Sequence, residues 1–163
     1  MGRDKARLRI GTSTLLTHAR RAALAAGLGR VRTLRHDLVP RCGPLGGIIT
    51  ALRTTRVDAV LFLACDMPFV TAGLLRRIAR ASRRGQRAVA ATQTGRSGFP
   101  LLLPASTLPA IERQVAGREF SLQRLLTALA AQHLEIPARS TVLFNINTPE
   151  EALAATARLR KRS

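Results

Sequence analysis

Residues 58–64, DAVLFLA, form a near-continuous apolar run closed by the turn-forming CDMP. A strand wetted on one face would alternate polar and apolar residues. This run does not, so it predicts a central strand buried on both faces, as in sheets covered by helices on each side. CDMPFV at 65–70 then reads as a loop at that strand's C-terminal end. In open α/β sheets, that is where ligands bind.

The rest of the chain alternates in the same manner. TSTLLTHARRAALAAG, 12–27, predicts a helix capped by Thr12 or Ser13 and ended by Gly27. VRTLR at 31–35 predicts a short strand, and HDLVPRCGPLGG at 36–47 a loop. A short helix over 46–55 starts on glycine, and Thr71 caps a helix over 72–84. RAVAAT at 87–92 reads as a strand and GFPLLLP at 98–104 as an extended segment. Helices near 106–116 and 119–132 bracket Gly117, and TVLFNI at 141–146 predicts a last strand. The final helix has the strongest start signal: Thr148 as cap, Pro149 in the first turn, and Glu151 three residues after the cap. This order predicts the α/β class, with a mainly parallel sheet flanked by helices. A length of 163 residues favours a single domain, 1–163.

Charge raises the question of partners. The formal net charge is +18, carried by 25 arginines and only two lysines, Lys5 and Lys161. The arginines are spread over most predicted helices rather than gathered in a stripe, and aromatic residues to stack on bases are few. Nucleic acid is therefore not the expected partner, whereas a small polyanionic substrate suits the field. No apolar stretch reaches membrane-spanning length and no signal-peptide core opens the chain, so the expected location is the cytoplasm, without membrane attachment. Cys42 and Cys65 read as reduced thiols, and His18, His36 and His133 lack metal-ligand spacing.

Scarce residue types mark the candidate site. Asparagine occurs only at 145 and 147, within FNINTPEE, and three of four aspartates, Asp4, Asp37 and Asp66, lie in or beside predicted loops. Asp66 offers a hard-oxygen ligand for Mg²⁺, or else a helix-capping or turn aspartate. CGPLGG allows close backbone approach to a ligand, or else a tight turn that starts a helix. Lys5 can neutralise phosphate, or else be an exposed terminal lysine. Asn145 and Asn147 can hydrogen-bond a heterocycle or phosphate, or else cap the last helix.

Taken in order, MGRDKA, Asp37 with GPLGG, CDMPFV, the segment from GFPLLLP through LQRLLTAL, and FNINTPEEA resemble the molybdenum cofactor guanylyltransferases. These stand within the wider group of sugar-phosphate-type nucleotidyltransferases. The resemblance implies a Rossmann-like nucleotidyltransferase fold and transfer of GMP from GTP to the phosphate of molybdopterin, with Mg²⁺ as cofactor. It implies catalytic roles for Lys5 and Asp66, with Asp66 as metal ligand. Lys5, Asp37 and Asp66 would contact GTP. Gly43, Pro44, Leu45, Gly46 and Gly47 would line the guanine pocket, and Asn145 and Asn147 would face the pterin or the reacting phosphates. The implied partners are small molecules, with room for contacts with other enzymes of cofactor biosynthesis. In the family a buried strand and a Gly-Gly loop precede the stretch seen here at Met1, and two strands usually separate Gly27 from Asp37. The nucleotide half is thus expected to be incomplete at its N-terminus, with strands missing and GTP bound weakly. The alternatives are a cytidylyltransferase acting on the same pterin, another metabolite nucleotidyltransferase, a non-catalytic truncated relative, and a basic nucleic-acid-binding domain.

Overall fold

The computed structural model describes residues 8–83 and 85–160. The chain divides into two compact units. One is formed by residues up to 31 with 63–75 and 139 onward, and the other by 32–62 and 76–138.

In the first unit, β1 (Arg9–Ile10) and β2 (Ser13–Thr14) make a tight antiparallel hairpin that leads into α1 (Leu15–Ala26). Thr14 caps α1 by accepting from the Thr17 N–H at 3.1 Å, and Gly27 closes it in the left-handed conformation at φ 66°. The cap thus falls one or two residues beyond the predicted Thr12 or Ser13, because residues 9–14 are taken up by the hairpin. The last helix, α6 (Pro149–Arg160), packs against β1. Ile10, Leu15, Phe69, Ile146, Ala152 and Ala155 form this unit's buried cluster.

The second unit holds the sheet and its covering helices. β3 (Ala59–Phe62), β5 (Arg96–Pro104), β4 (Val89–Gln93) and β6 (Gln132–Glu135) are hydrogen-bonded in that spatial order. β4 and β6 pair in parallel, while β5 runs against both β3 and β4. Three of the four strands therefore share one direction, and β5 alone is reversed. The cause is local: Thr94 and Gly95 both take positive φ, 50° and 76°, in a two-residue turn that can join only antiparallel neighbours. α2 (Pro44–Arg53) packs on α4 (Leu108–Ala116) and on β3, and α5 (Leu122–Ala128) packs on β5. Leu45, Ile48, Ile49, Leu101, Leu103, Ile111, Leu125 and Leu126 fill the space between them. α3 (Ala72–Ala81), whose residues to Leu75 are counted in the first unit, begins after the predicted Thr71, whose hydroxyl accepts from the Leu74 N–H at 3.2 Å. The architecture is α/β with a mixed sheet flanked by helices.

Four expectations change. VRTLR forms no strand: Arg32, Thr33, Leu34 and Arg35 are exposed, and Arg32 donates to the Thr54 carbonyl at 3.0 Å. Its two apolar residues fall on opposite faces of an extended chain, so no face could be buried. TVLFNI is likewise not a strand; Phe144 N–H closes a turn on Thr141 O at 3.0 Å. The predicted helix to residue 132 stops at Ala128, and β6 follows. Ala130 makes the reversal at φ 45°, a conformation usually marked by glycine, so the sequence carried no punctuation there. Finally, β3 has a single strand neighbour among the described residues and only its Phe62 is buried, so it is not the doubly covered central strand that its composition suggests.

The cap of α6 is as expected. Thr148 Oγ1 accepts from the Glu151 N–H at 3.2 Å, and Glu151 Oε2 accepts from Asn147 and Thr148 N–H at 2.6 and 3.0 Å. Glu151→Ala removes the acceptor for two backbone donors at a helix start. It is expected to cost about 0.5–2 kcal/mol, read from chemical denaturation. An unchanged midpoint would mean the box adds no net stability.

Candidate functional site

Two groups of predicted residues are each brought together by the fold, one in each unit. In the first unit, the loop after β3 carries Asp66. Its neighbours Met67, Pro68, Phe69 and Val70 are all buried, which fixes the loop from one side. Asp66 is half-buried, with its Oδ1 atom withdrawn from solvent. Its backbone carbonyl accepts from the Ile146 N–H at 2.9 Å. That bond joins the CDMP loop to the FNIN segment. Ile146 is buried against Phe69, and the Phe69 and Phe144 rings stand 6.2 Å apart, tilted by 57°. Asn145 and Asn147, on either side of Ile146, are exposed. One buried isoleucine thus stands between two asparagines that face solvent.

The capping alternative for the asparagines is taken by other residues: Thr148 caps α6, and Asn147 gives its backbone N–H to Glu151. The Glu150 carboxyl is held below its ordinary value by hydrogen bonds from its own backbone N–H and from the Thr148 side chain. A cleft of about 670 Å³ in this unit is bordered by Phe69, Thr71, Arg139 and Arg158, and the Arg158 guanidinium lies 5.0 Å from the centre of the Phe144 ring. The aspartate and the asparagines do not line it.

In the second unit, Asp37 is brought onto the first turn of α2. Gly43 takes φ 54° and ψ −140°, Pro44 opens the helix, and the Leu45 N–H turns back to the Cys42 carbonyl at 3.2 Å. A Cβ on Gly46 would lie 2.4 Å from the Val39 carbonyl oxygen and 3.1 Å from Asp37 Oδ2. A Cβ on Gly47 would lie 3.4 Å from Asp37 Oδ1. Gly46 is therefore needed for this loop to lie against its own helix, whereas Gly47 has ordinary contact there, and the carboxylate rests over both of them. Asp37, Gly43 and Pro44 are exposed. Leu45 is fully buried in the core, so its side chain serves packing and it can offer a ligand only backbone.

Lys5 lies outside the described residues. Cys42 and Cys65 form no disulfide. His133 is engaged structurally, its Nδ1 lying 2.8 Å from Ser97 Oγ and 3.2 Å from Thr92 Oγ1. No group of three or more His, Cys, Asp or Glu among the described residues is arranged to hold a metal by itself. No described helix is long and apolar enough to cross a membrane. Sequence reasoning passed over two residues. Ile146 seats the asparagines, and its alternation with them was the available signal. Thr50, buried at 4% exposure, ties the Asp37 loop to α2 and gave no signal beyond being polar in an apolar helix.

The MobA-like NTP transferase domain matches over residues 1–136. A molybdenum cofactor guanylyltransferase of Pseudomonas putida strain KT2440 is 33% identical, over 91% of this chain and 86% of that protein. Among solved structures, the molybdopterin-guanine dinucleotide biosynthesis protein A of Archaeoglobus fulgidus superposes with a TM-score of 0.74 at 18% identity, over 98% of this chain and 92% of its own. The 2-C-methyl-D-erythritol 4-phosphate cytidylyltransferase of Thermus thermophilus gives 0.67 at 20% identity, over 96% and 94%. The two structures share the nucleotidyltransferase fold, and the sequence match is specific enough to narrow it: the chain belongs to the MobA-like NTP transferase family.

Proposed function

We propose that this protein transfers GMP from GTP to the phosphate of molybdopterin in molybdenum cofactor biosynthesis. The observation that carries the reading is the 33% identity to a guanylyltransferase over nine-tenths of the chain. The match over residues 1–136 runs through both compact units, which supports reading residues 1–163 as one transferase domain. In the reaction, an acceptor phosphate oxygen bonds to the α-phosphorus of GTP, the bond from that phosphorus to the bridging oxygen breaks, and pyrophosphate leaves.

The residues have distinct tasks. Asp37, exposed and held over Gly46 and Gly47, recognises the base. An ionised carboxylate is acceptor-only and complements the N1–H and N2–H₂ donors of guanine. Cytosine presents an acceptor at N3, which a carboxylate repels. The glycines let the base lie close to backbone. Asp66 holds the metal. Its carboxylate fits Mg²⁺, an ion that takes one or two protein carboxylates and completes its shell with phosphate and water, and so needs no three-residue cluster. Bound there, Mg²⁺ would offset charge on the triphosphate. Asn145 and Asn147 present amides to the pterin or the reacting phosphates, and Lys5 adds a compact cation. The protein's contribution is positioning and charge neutralisation rather than a covalent intermediate.

Calorimetric titration of GTP and CTP, each with Mg²⁺, tests the nucleotide. GTP is expected to bind at least tenfold more tightly, and Asp37→Asn to remove most of that preference, because its amide replaces one acceptor oxygen with a donor. Equal binding of the two nucleotides by the unmodified protein would sink the guanylyl assignment.

A further inference from the structure

We infer that Thr50 is a positioning residue for the nucleotide base, acting through Asp37. The inference rests on the reading that Asp37 contacts guanine.

The Asp37 loop crosses over α2, and the crossing point is the Thr50 hydroxyl. The Leu38 N–H, on the residue immediately after Asp37, donates to Thr50 Oγ1 at 2.8 Å. The same hydroxyl donates to the Gly46 carbonyl at 2.8 Å. One hydroxyl thus ties the loop backbone beside the carboxylate to the backbone of the glycine beneath it. A hydroxyl can accept and donate at once, and valine, its near-isostere, can do neither.

Thr50 is 4% exposed, so its hydroxyl works away from competing water, where such a bond holds geometry best. The loop needs this tie. Asp37 and Leu38 are exposed and carry little packing of their own, whereas Val39 packs against the core. The Val39 carbonyl also abuts Gly46 with no room for a Cβ. Between residues 37 and 39 the carboxylate is therefore located by contacts to Gly46 and by the Thr50 hydroxyl. A carboxylate that recognises two guanine donors must be held in place; if the loop lifts, charge remains but alignment is lost.

The test is titration of GTP and CTP, each with Mg²⁺, into the unmodified protein, Thr50→Val, Thr50→Ser and Asp37→Asn. Thermal melts establish that each variant is folded, and Thr50→Ala replaces the valine variant should it not fold. Thr50→Val is expected to weaken GTP about tenfold, as for loss of one well-formed hydrogen bond between Asp37 and the base, while CTP changes little. Thr50→Ser keeps the hydroxyl and should restore the preference for GTP. A purely structural role would weaken both nucleotides alike or neither. If Asp37→Asn removes the preference and Thr50→Val leaves it intact, the inference falls while the reading of Asp37 stands. If Asp37→Asn also leaves it intact, that reading falls and takes the inference with it.

Discussion

Asp66→Ala is expected to lower Mg²⁺-dependent GMP transfer by on the order of 3 kcal/mol, roughly a hundredfold or more in rate, as for removal of one strong electrostatic stabiliser. The stability of the fold should change far less. The bond that joins this loop to the FNIN segment is made by the Asp66 backbone carbonyl, which accepts from the Ile146 N–H, and that carbonyl is untouched by a side-chain replacement. The buried anchors of the loop are Met67 through Val70, also untouched. Asp66→Asn sharpens the comparison, because it keeps the shape and removes the charge. It should lose nearly as much turnover as the alanine variant if charge is what matters. Melting temperature and turnover read together decide the case. Near-normal Mg²⁺-dependent transfer in either variant would remove Asp66 from the metal site, and a large fall in melting temperature would show that its role is structural.

The parts of this molecule that were legible in the sequence are those encoded by chemistry with few substitutes. Thr148, Pro149 and Glu151 start a helix because three backbone donors need acceptors at that point, and the Thr148 and Glu151 side chains supply them. Gly27 ends α1 in a conformation that costs other residues energy. The asparagine pair and Asp66 stood out because their types are rare in an arginine- and leucine-rich chain, and the fold brings their segments together through Ile146. The misses share a cause as well. β6 follows a reversal made by alanine, β1 and β2 are two residues each, and the strand-forming residue types at 31–35 leave no single face to bury. Thr50 was invisible for a different reason. A threonine inside a helix commonly donates to the carbonyl four residues back, as this one does, and only the loop folded over it supplies the second partner.

Ile146→Ala is expected to destabilise the protein by about 2–5 kcal/mol, the range for emptying a buried isoleucine site. Ile146 is 1% exposed and belongs to a small cluster in which two of the six buried members are alanines. Little nearby bulk can move in to fill the gap, so the effect should sit toward the upper part of that range. For a chain of this size the melting temperature should fall by roughly 5–15 °C. Ile146→Val removes one methylene and should cost only about 0.5–1.5 kcal/mol, giving a graded pair. The functional consequence is separable from stability. Ile146 seats both Asn145 and Asn147 and donates the backbone bond to Asp66, so a cavity beneath it loosens three candidate site residues together. Displacement of reacting groups by about an ångström can cost a hundredfold in rate. At a temperature where Ile146→Ala is still folded, its turnover should therefore be far below that of Ile146→Val. Equal turnover of the two folded variants would mean that the asparagines are not positioned by this residue, or that their positions do not matter to the reaction.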